Sequence, residues 1–284
     1  MTTPSNTVGI ADADGGRRDR VRIGVQLWQG GTPDYATWRQ AVLQAEEMGA
    51  DAIFGYDHFH KPFVEIVDGI PVLDDEQPDV NNFEGWTALA SWGEITHRAE
   101  IGLLVAAMPY RNPDLVADMA RTIDHISGGR VILGLGAGWY AKDFEVYSYD
   151  YGTTKARMDQ FDEGLARIEN RLAHLNPAPL RRIPILIGGG GERRTIPAVA
   201  RHADIWHSFE PLAEFRRKNE LLKRLATKAG RDETTIERAI AWTDEASADT
   251  FIRAGVTLFT AEIHPNEQGY DFSELEAMLA WRGR

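Results

Sequence analysis

The sequence predicts an α/β protein built as one (β/α)₈ barrel, and three observations carry that expectation. From Val21 onward, short apolar runs of strand type alternate with segments whose apolar residues recur every three or four positions. Eight such strand–helix units can be counted, in a length close to the roughly 250 residues of a typical closed barrel. The first strand is followed by GGTPDY, with neither the GxGxxG fingerprint nor the Walker pattern that an open doubly wound sheet would carry there. Strands that alternate with helices run parallel, and their near-continuous apolar character implies cover on both faces.

The elements follow in order. Residues 22–28 (RIGVQLW) form the first strand, and Tyr35, Trp38, Val42 and Ala45 mark a helix over 33–48 that Gly49 closes. A second strand is expected at 52–57, a helix at 84–96, a third strand at 101–108, and a helix at 113–126 with proline in its first turn. After a fourth strand at 131–138 comes the clearest helical period of the chain. Met158, Phe161, Leu165, Ile168, Leu172 and Leu175 step by three and four, a stripe that reads as core. The fifth strand, 183–187, leads through four glycines into a helix expected to begin near Glu192. Strands at 203–209, 236–243 and 257–263, with helices at 212–229, 248–254 and 272–282, complete the series. Two connections, 59–83 and 139–152, are unusually long; both follow a strand's carboxyl end, where barrels build their sites, and both read as lids.

Composition narrows the function classes. With 31 Lys+Arg against 43 Asp+Glu, the formal net charge of −12 argues against nucleic acid or an anionic membrane as the main partner. The chain has no cysteine, which excludes disulfides, thiolate nucleophiles and iron–sulfur clusters, so any redox chemistry must come from a bound cofactor. No apolar run approaches the roughly 20 residues that span a bilayer, and the polar start lacks a hydrophobic signal segment. A cytosolic protein is expected, with residues 1–20 as a disordered lead-in and 21–284 as one domain.

The most telling stretch is IPILIGGGGERRT, in which Gly188, Gly189, Gly190 and Gly191 follow a strand directly. Glycines let the backbone fold tightly around an anion, and the N–H groups of a following helix point at it. A plain strand-to-helix connection would need only one or two glycines, so a phosphate cradle is the preferred reading. Arg193 and Arg194 stand close enough to add charge, although either alone also reads as solvated surface.

After the second strand come Asp57 and His58, a carboxylate and an imidazole placed for acid/base work or for hydrogen bonding to a heterocycle. The bland alternative makes Asp57 a loop cap and His58 the filler of a polar niche; His60 and Lys61 read as loop surface. His58, His60 and His207 are the residues a metal would compete for. No HExxH-type spacing occurs, no metal site is expected, and no GxSxG elbow supports serine hydrolase chemistry. Gly134, Gly136 and Gly138 either admit a flat ring or permit close packing inside the barrel. Trp28, Trp139, Trp206 and His207 fall near strand ends, where they could line a slot for a planar cofactor or serve as core and lid packing.

With those residues in view, the chain resembles the bacterial luciferase-like monooxygenase superfamily, and within it the coenzyme F420-dependent oxidoreductases. The likeness is strongest in FGYDHFHKP, in YRNPDLVADMARTIDHISGGRVILGLGAGW, and in IPILIGGGGERRT followed by ADIW. The resemblance implies a (β/α)₈ barrel that transfers hydride between a deazaflavin ring in the barrel mouth and a small organic substrate. It implies Asp57 and His58 as cofactor and acid/base pair, and Gly188 to Gly191 with Arg193 as the phosphate site. Leu104 and Val105 fall where the family often has a non-prolyl cis peptide behind the ring, with Ala107, Gly138 and Trp139 beside it. Trp139 stands where the sugar-phosphate dehydrogenases of the family carry a glutamate acid, which disfavours glucose-6-phosphate. An FMN monooxygenase of the same fold is the alternative, a non-catalytic flavin or deazaflavin binder the second, and a homodimer is implied by resemblance alone.

Overall fold

A computed structural model of the chain describes residues 18, 20–67, 70–74 and 76–284. Most of the expected lead-in therefore lies outside the described residues; Arg18 is placed, with two hydrogen bonds of 2.8 Å to the carboxylate of Asp249. The elements run β1 (Arg22–Leu27), α1 (Tyr35–Met48), β2 (Ala52–Gly55), β3 (Val64–Val67), β4 (Ile70–Leu73), α2 (Gly85–Ile95), β5 (Glu100–Leu103), β6 (Ala106–Ala107), α3 (Pro113–Ser127) and β7 (Val131–Gly136). They continue with α4 (Ala141–Val146), α5 (Thr154–His174), β8 (Ile185–Gly188), α6 (Thr195–His202), β9 (Ile205–Ser208), α7 (Leu212–Lys228), β10 (Glu237–Ala241), α8 (Glu245–Arg253) and β11 (Val256–Ile263). A two-residue pair, β12 (Pro265–Asn266) and β13 (Gly269–Tyr270), precedes α9 (Ser273–Arg282).

The strand order is β5-β2-β1-β11-β10-β9-β8-β7-β6, and β5 also pairs with β7, so the sheet closes on itself. Every pairing in it is parallel. Because β5 and β6 are two pieces of one stave, the result is the eight-stranded barrel that the sequence predicts. Alternate residues face opposite sides. Phe54, Ile132, Leu186, Ile205, Ala239 and Leu258 fill the lumen, while Ile23, Val25, Ile53, Leu133, Ile187 and Phe259 pack outward against the helices. Local signals set the helix ends: Asp34 caps α1 by accepting from the Thr37 N–H at 2.7 Å, and Gly49 ends it at φ 112°. The long stripe of α5 is core as expected, with Phe161, Leu165 and Ile168 buried.

Two expectations need correction, in the third strand and in the helix after the glycines, and the two long connections carry elements of their own. The third strand is not continuous over 101–108; it breaks at Leu104–Val105, whose peptide is cis. The buried Gln26 side chain donates to the Leu104 carbonyl there, replacing the ladder partner that the break removes. The connection 59–83 contains β3 and β4, an antiparallel hairpin pairing Val64 with Leu73. The connection 139–152 contains α4. The helix after the four glycines begins at Thr195, not near Glu192, because residues 192–194 form a turn in which the Ile196 N–H reaches back to Gly191 O at 2.9 Å.

Close packing explains Gly134 and Gly136. A Cβ at Gly134 would overlap the Leu103 carbonyl oxygen and sit 3.2 Å from its carbonyl carbon, and one at Gly136 would stand 2.6 Å from a Val105 methyl. The broken stave leans on β7 where β7 has no side chains. Among the described residues, no helix is long and apolar enough to cross a membrane. Gly134→Ala is expected to lose about 3 kcal/mol or more in chemical denaturation, since a backbone carbonyl cannot move aside as a flexible side chain can.

Candidate active site

A cavity of about 490 Å³ opens at the carboxyl end of the barrel strands. Its walls include Gln26, Trp28, Tyr56, His58, Leu104, Val105, Ala107, Gly138, Trp139, Gly188, Gly189 and Phe209. Seven of the residues singled out for a cofactor thus meet around one space, together with His58. Gln26 organises its floor: while its amide N–H holds Leu104, its carbonyl accepts from the Trp28 indole at 3.2 Å. The Trp28 ring meets Tyr56 edge-on at 5.1 Å and lies 4.2 Å from the ring of His264.

His58 is fixed from behind by a residue that sequence reading missed. Asp143, at 0% exposure, accepts from His58 Nδ1 at 2.9 Å, His60 Nδ1 at 2.8 Å, the His60 N–H at 3.0 Å and the Tyr110 hydroxyl at 3.0 Å. Burial alone would raise its pKa, but the hydrogen bonds from His58 and His60 outweigh that and hold it below the ordinary value. An ionised carboxylate can only accept, so both imidazoles carry their proton on Nδ1. His58 Nε2 is then left at the cavity wall without a protein partner among the described residues. His60 is not loop surface; its side chain is 16% exposed and shares this carboxylate. A signal was present in sequence, since Asp143 lies in the long connection that follows the fourth strand's carboxyl end.

Asp57 and His58 are neighbours in sequence but belong to different networks. Asp57 is buried, and its Oδ2 accepts from the Ala107 N–H at 3.0 Å and from Arg111 at 2.8 Å, while Arg111 also holds Glu84 at 2.6 Å. Burial pushes the Asp57 carboxyl up to about 6, against the pull of Arg111 and the Ala107 amide. Asp57 is therefore a tie beneath the cavity floor, not part of its lining.

The glycine loop divides as well. Gly188 and Gly189 line the cavity, and Gly189, at φ 110°, donates to His207 O at 3.0 Å and accepts from the Trp206 indole at 2.8 Å. The N–H groups of Gly190 and Gly191 have no acceptor among the described residues. Arg193 is exposed, whereas Arg194 is held by Asp159 at 2.8 Å and Asp162 at 2.7 Å and points away to α5. Trp28 and Trp139 do line the slot, but Trp206 and His207 do not. Trp206 faces outward, stacked on Phe215 at 5.2 Å. His207 lies inside the barrel on Thr260 at 2.8 Å, and burial takes its pKa down to about 3, keeping it neutral. Among the described residues, no cluster of three or more His, Asp or Glu is arranged to hold a metal.

The sequence profile described as luciferase-like monooxygenase matches residues 20–247. The chain belongs to that family. Among its relatives is a Mycobacterium tuberculosis protein whose name places it provisionally among coenzyme F420-dependent oxidoreductases. It is 27% identical over 219 residues, covering 68% of this chain and 55% of the relative. Among solved structures, an F420-dependent secondary alcohol dehydrogenase in complex with an F420–acetone adduct superposes with a TM-score of 0.73 at 15% identity, over 87% of this chain and 95% of its own. The FMN-bound oxygenating constituent of 3,6-diketocamphane monooxygenase from Pseudomonas putida gives 0.60 at 18%, over 78% and 67%. At these identities the two structures establish the fold. In this luciferase-like chain it is the mouth of that fold that gathers His58, Leu104, Val105 and Gly188.

Two measurements check the electrostatics. Asp143→Asn turns one of the two accepting oxygens into an NH2 donor, so only one imidazole N–H keeps an acceptor, and imidazole ¹⁵N shifts are expected to change from a single Nδ1–H form of His58 to a mixture. Asp57 has a folded pKa above its unfolded value, so its contribution to stability is present below pH 3.8 and lost as pH rises through about 6. Relative to Asp57→Asn, the native chain is expected to lose about 3 kcal/mol of denaturation free energy between pH 4 and 7, a difference that unchanged pH curves would refute.

Proposed function

We propose that this chain is a coenzyme F420-dependent oxidoreductase, exchanging hydride between the deazaflavin and a small organic substrate. One observation carries the reading: His58, oriented by Asp143, lines a largely apolar cavity that Gly188 and Gly189 of the glycine loop also line. The residues present fit such a group. The cavity is walled by Leu104, Val105, Trp28 and Trp139, and the free amides of Gly190 and Gly191 suit its phosphate. When bound, the deazaflavin supplies two-electron hydride chemistry with little reaction toward oxygen. The chain's own residues would do the rest: Leu104 and Val105 would lie against the ring, Trp28 and Trp139 would limit water, and a substrate would meet His58. In oxidation of an alcohol, Nε2 takes the hydroxyl proton; in the reverse direction it returns it. Asp143 stabilises the imidazolium so formed without taking the proton itself.

The names of relatives support the cofactor class, with F420 in two of them and FMN in a third, so an FMN monooxygenase is the second reading. The same proposal keeps the protein in the cytosol, on its acidic, cysteine-free composition. Titration with F420 and with FMN separates the two cofactors. His58→Ala is expected to lower turnover by about 10²- to 10⁴-fold while cofactor affinity stays within about threefold. Loss of affinity in step with turnover would overturn the acid/base role.

A further inference from the structure

Behind the glycine loop lies an ion pair that the proposed chemistry does not use. Lys218, from α7, is buried and paired with Glu210, which follows β9. The pair sits hard against the loop: a Cβ at Gly190 would collide with Glu210 Oε1 and come within 2.8 Å of Lys218 Nζ. The Glu210 carboxylate thus reaches the backbone of Gly190 itself and stands beside the amides offered to a phosphate.

The cations around the loop are matched almost one for one. Arg194 is held by Asp159 and Asp162, Arg217 by Glu192 at 2.6 Å and Glu214 at 2.7 Å, and Lys218 by Glu210. Arg193 is the cation of the loop with no ion-pair partner among the described residues. Amides and one free guanidinium suit a single negative charge; a second charge would meet Glu210 with Lys218 already neutralised.

We propose that Glu210 determines the charge this loop accepts, selecting a singly charged phosphodiester over a doubly charged phosphomonoester. The inference rests on the reading that the loop binds the cofactor phosphate, and it deepens it: F420 carries its phosphate as a diester, whereas FMN is a monoester with a second pKa near 6, hence close to two charges at pH 8. Glu210 is a specificity residue, acting through the field at the phosphate and through Lys218.

The test is fluorescence titration of the full chain at pH 8 with FMN, with the methyl ester of its phosphate, which shares the ring and differs by one charge, and with F420. The native chain is expected to bind the ester more tightly than FMN. Coulomb energy scales with ligand charge, so a gain of about threefold for the ester in Glu210→Gln implies about tenfold for FMN. Lys218→Met, which removes the cation and keeps the carboxylate, is expected to shift the ratio the other way. Equal shifts for the two ligands in both variants would overturn the assignment to Glu210 while leaving the cofactor reading intact. If none of the three ligands binds the native chain, the cofactor reading falls and this inference with it.

Discussion

Closure of the strand ladder between β5 and β7 is the constraint on which the molecule depends. A parallel sheet bent into eight staves leaves no open edge, but it forces every stave to share one narrow lumen. At the third stave the regular ladder ends early, at Leu103, and the chain turns in at Leu104–Val105 before resuming at Ala106. That inward step is possible only because β7 is thinned to glycine at 134 and 136 and because Gln26 receives the displaced carbonyl. The same step raises the floor of the mouth and gives the cavity its apolar back wall. Barrel closure and site geometry are thus one problem with one solution.

A second theme is how the mouth keeps charge under control. Buried ions are costly unless they are hydrogen-bonded, and Asp57 and Asp143, the buried aspartates of the mouth, solve this differently. Asp143 gathers four donors and stays ionised; its charge organises two histidines from the adjoining loop and so ties α4 to the chain after β2. Asp57 meets Arg111 and one backbone amide, with Oδ1 left unpartnered, and its carboxyl is correspondingly easier to protonate. His207, whose pKa burial lowers, remains neutral. One mouth therefore holds an anion as orienter, a carboxylate as tie and an imidazole as filler. The imidazole of His58 and the carboxylate of Glu262 line the space where a substrate would lie.

The long connections show why some of the site was legible and some was not. Glycine runs, strand ends and the Asp57–His58 pair are local features, so their place at the mouth followed from the strand count. Asp143 is separated from His58 by 85 residues, and no short-range pattern links a carboxylate in one connection to an imidazole in another. The hairpin at 64–73 was hidden for a related reason: an isolated pair of short strands has weak local preference and forms against the rest of the mouth.

What the sequence determined by itself was the repetition: eight apolar runs of strand length, each followed by a helical stripe, together with the glycine punctuation after the fifth. Period and composition are local quantities, and burial of an apolar face leaves few alternatives once they are set. What only the tertiary structure decided was the partner of each polar group. It sent Asp57 to Arg111 rather than to His58, gave His58 to Asp143, turned Trp206 out and His207 in, and placed Glu210 against Gly190. Those choices turn on approaches of about 3 Å between residues far apart in the chain, and such distances exist only once the barrel has closed.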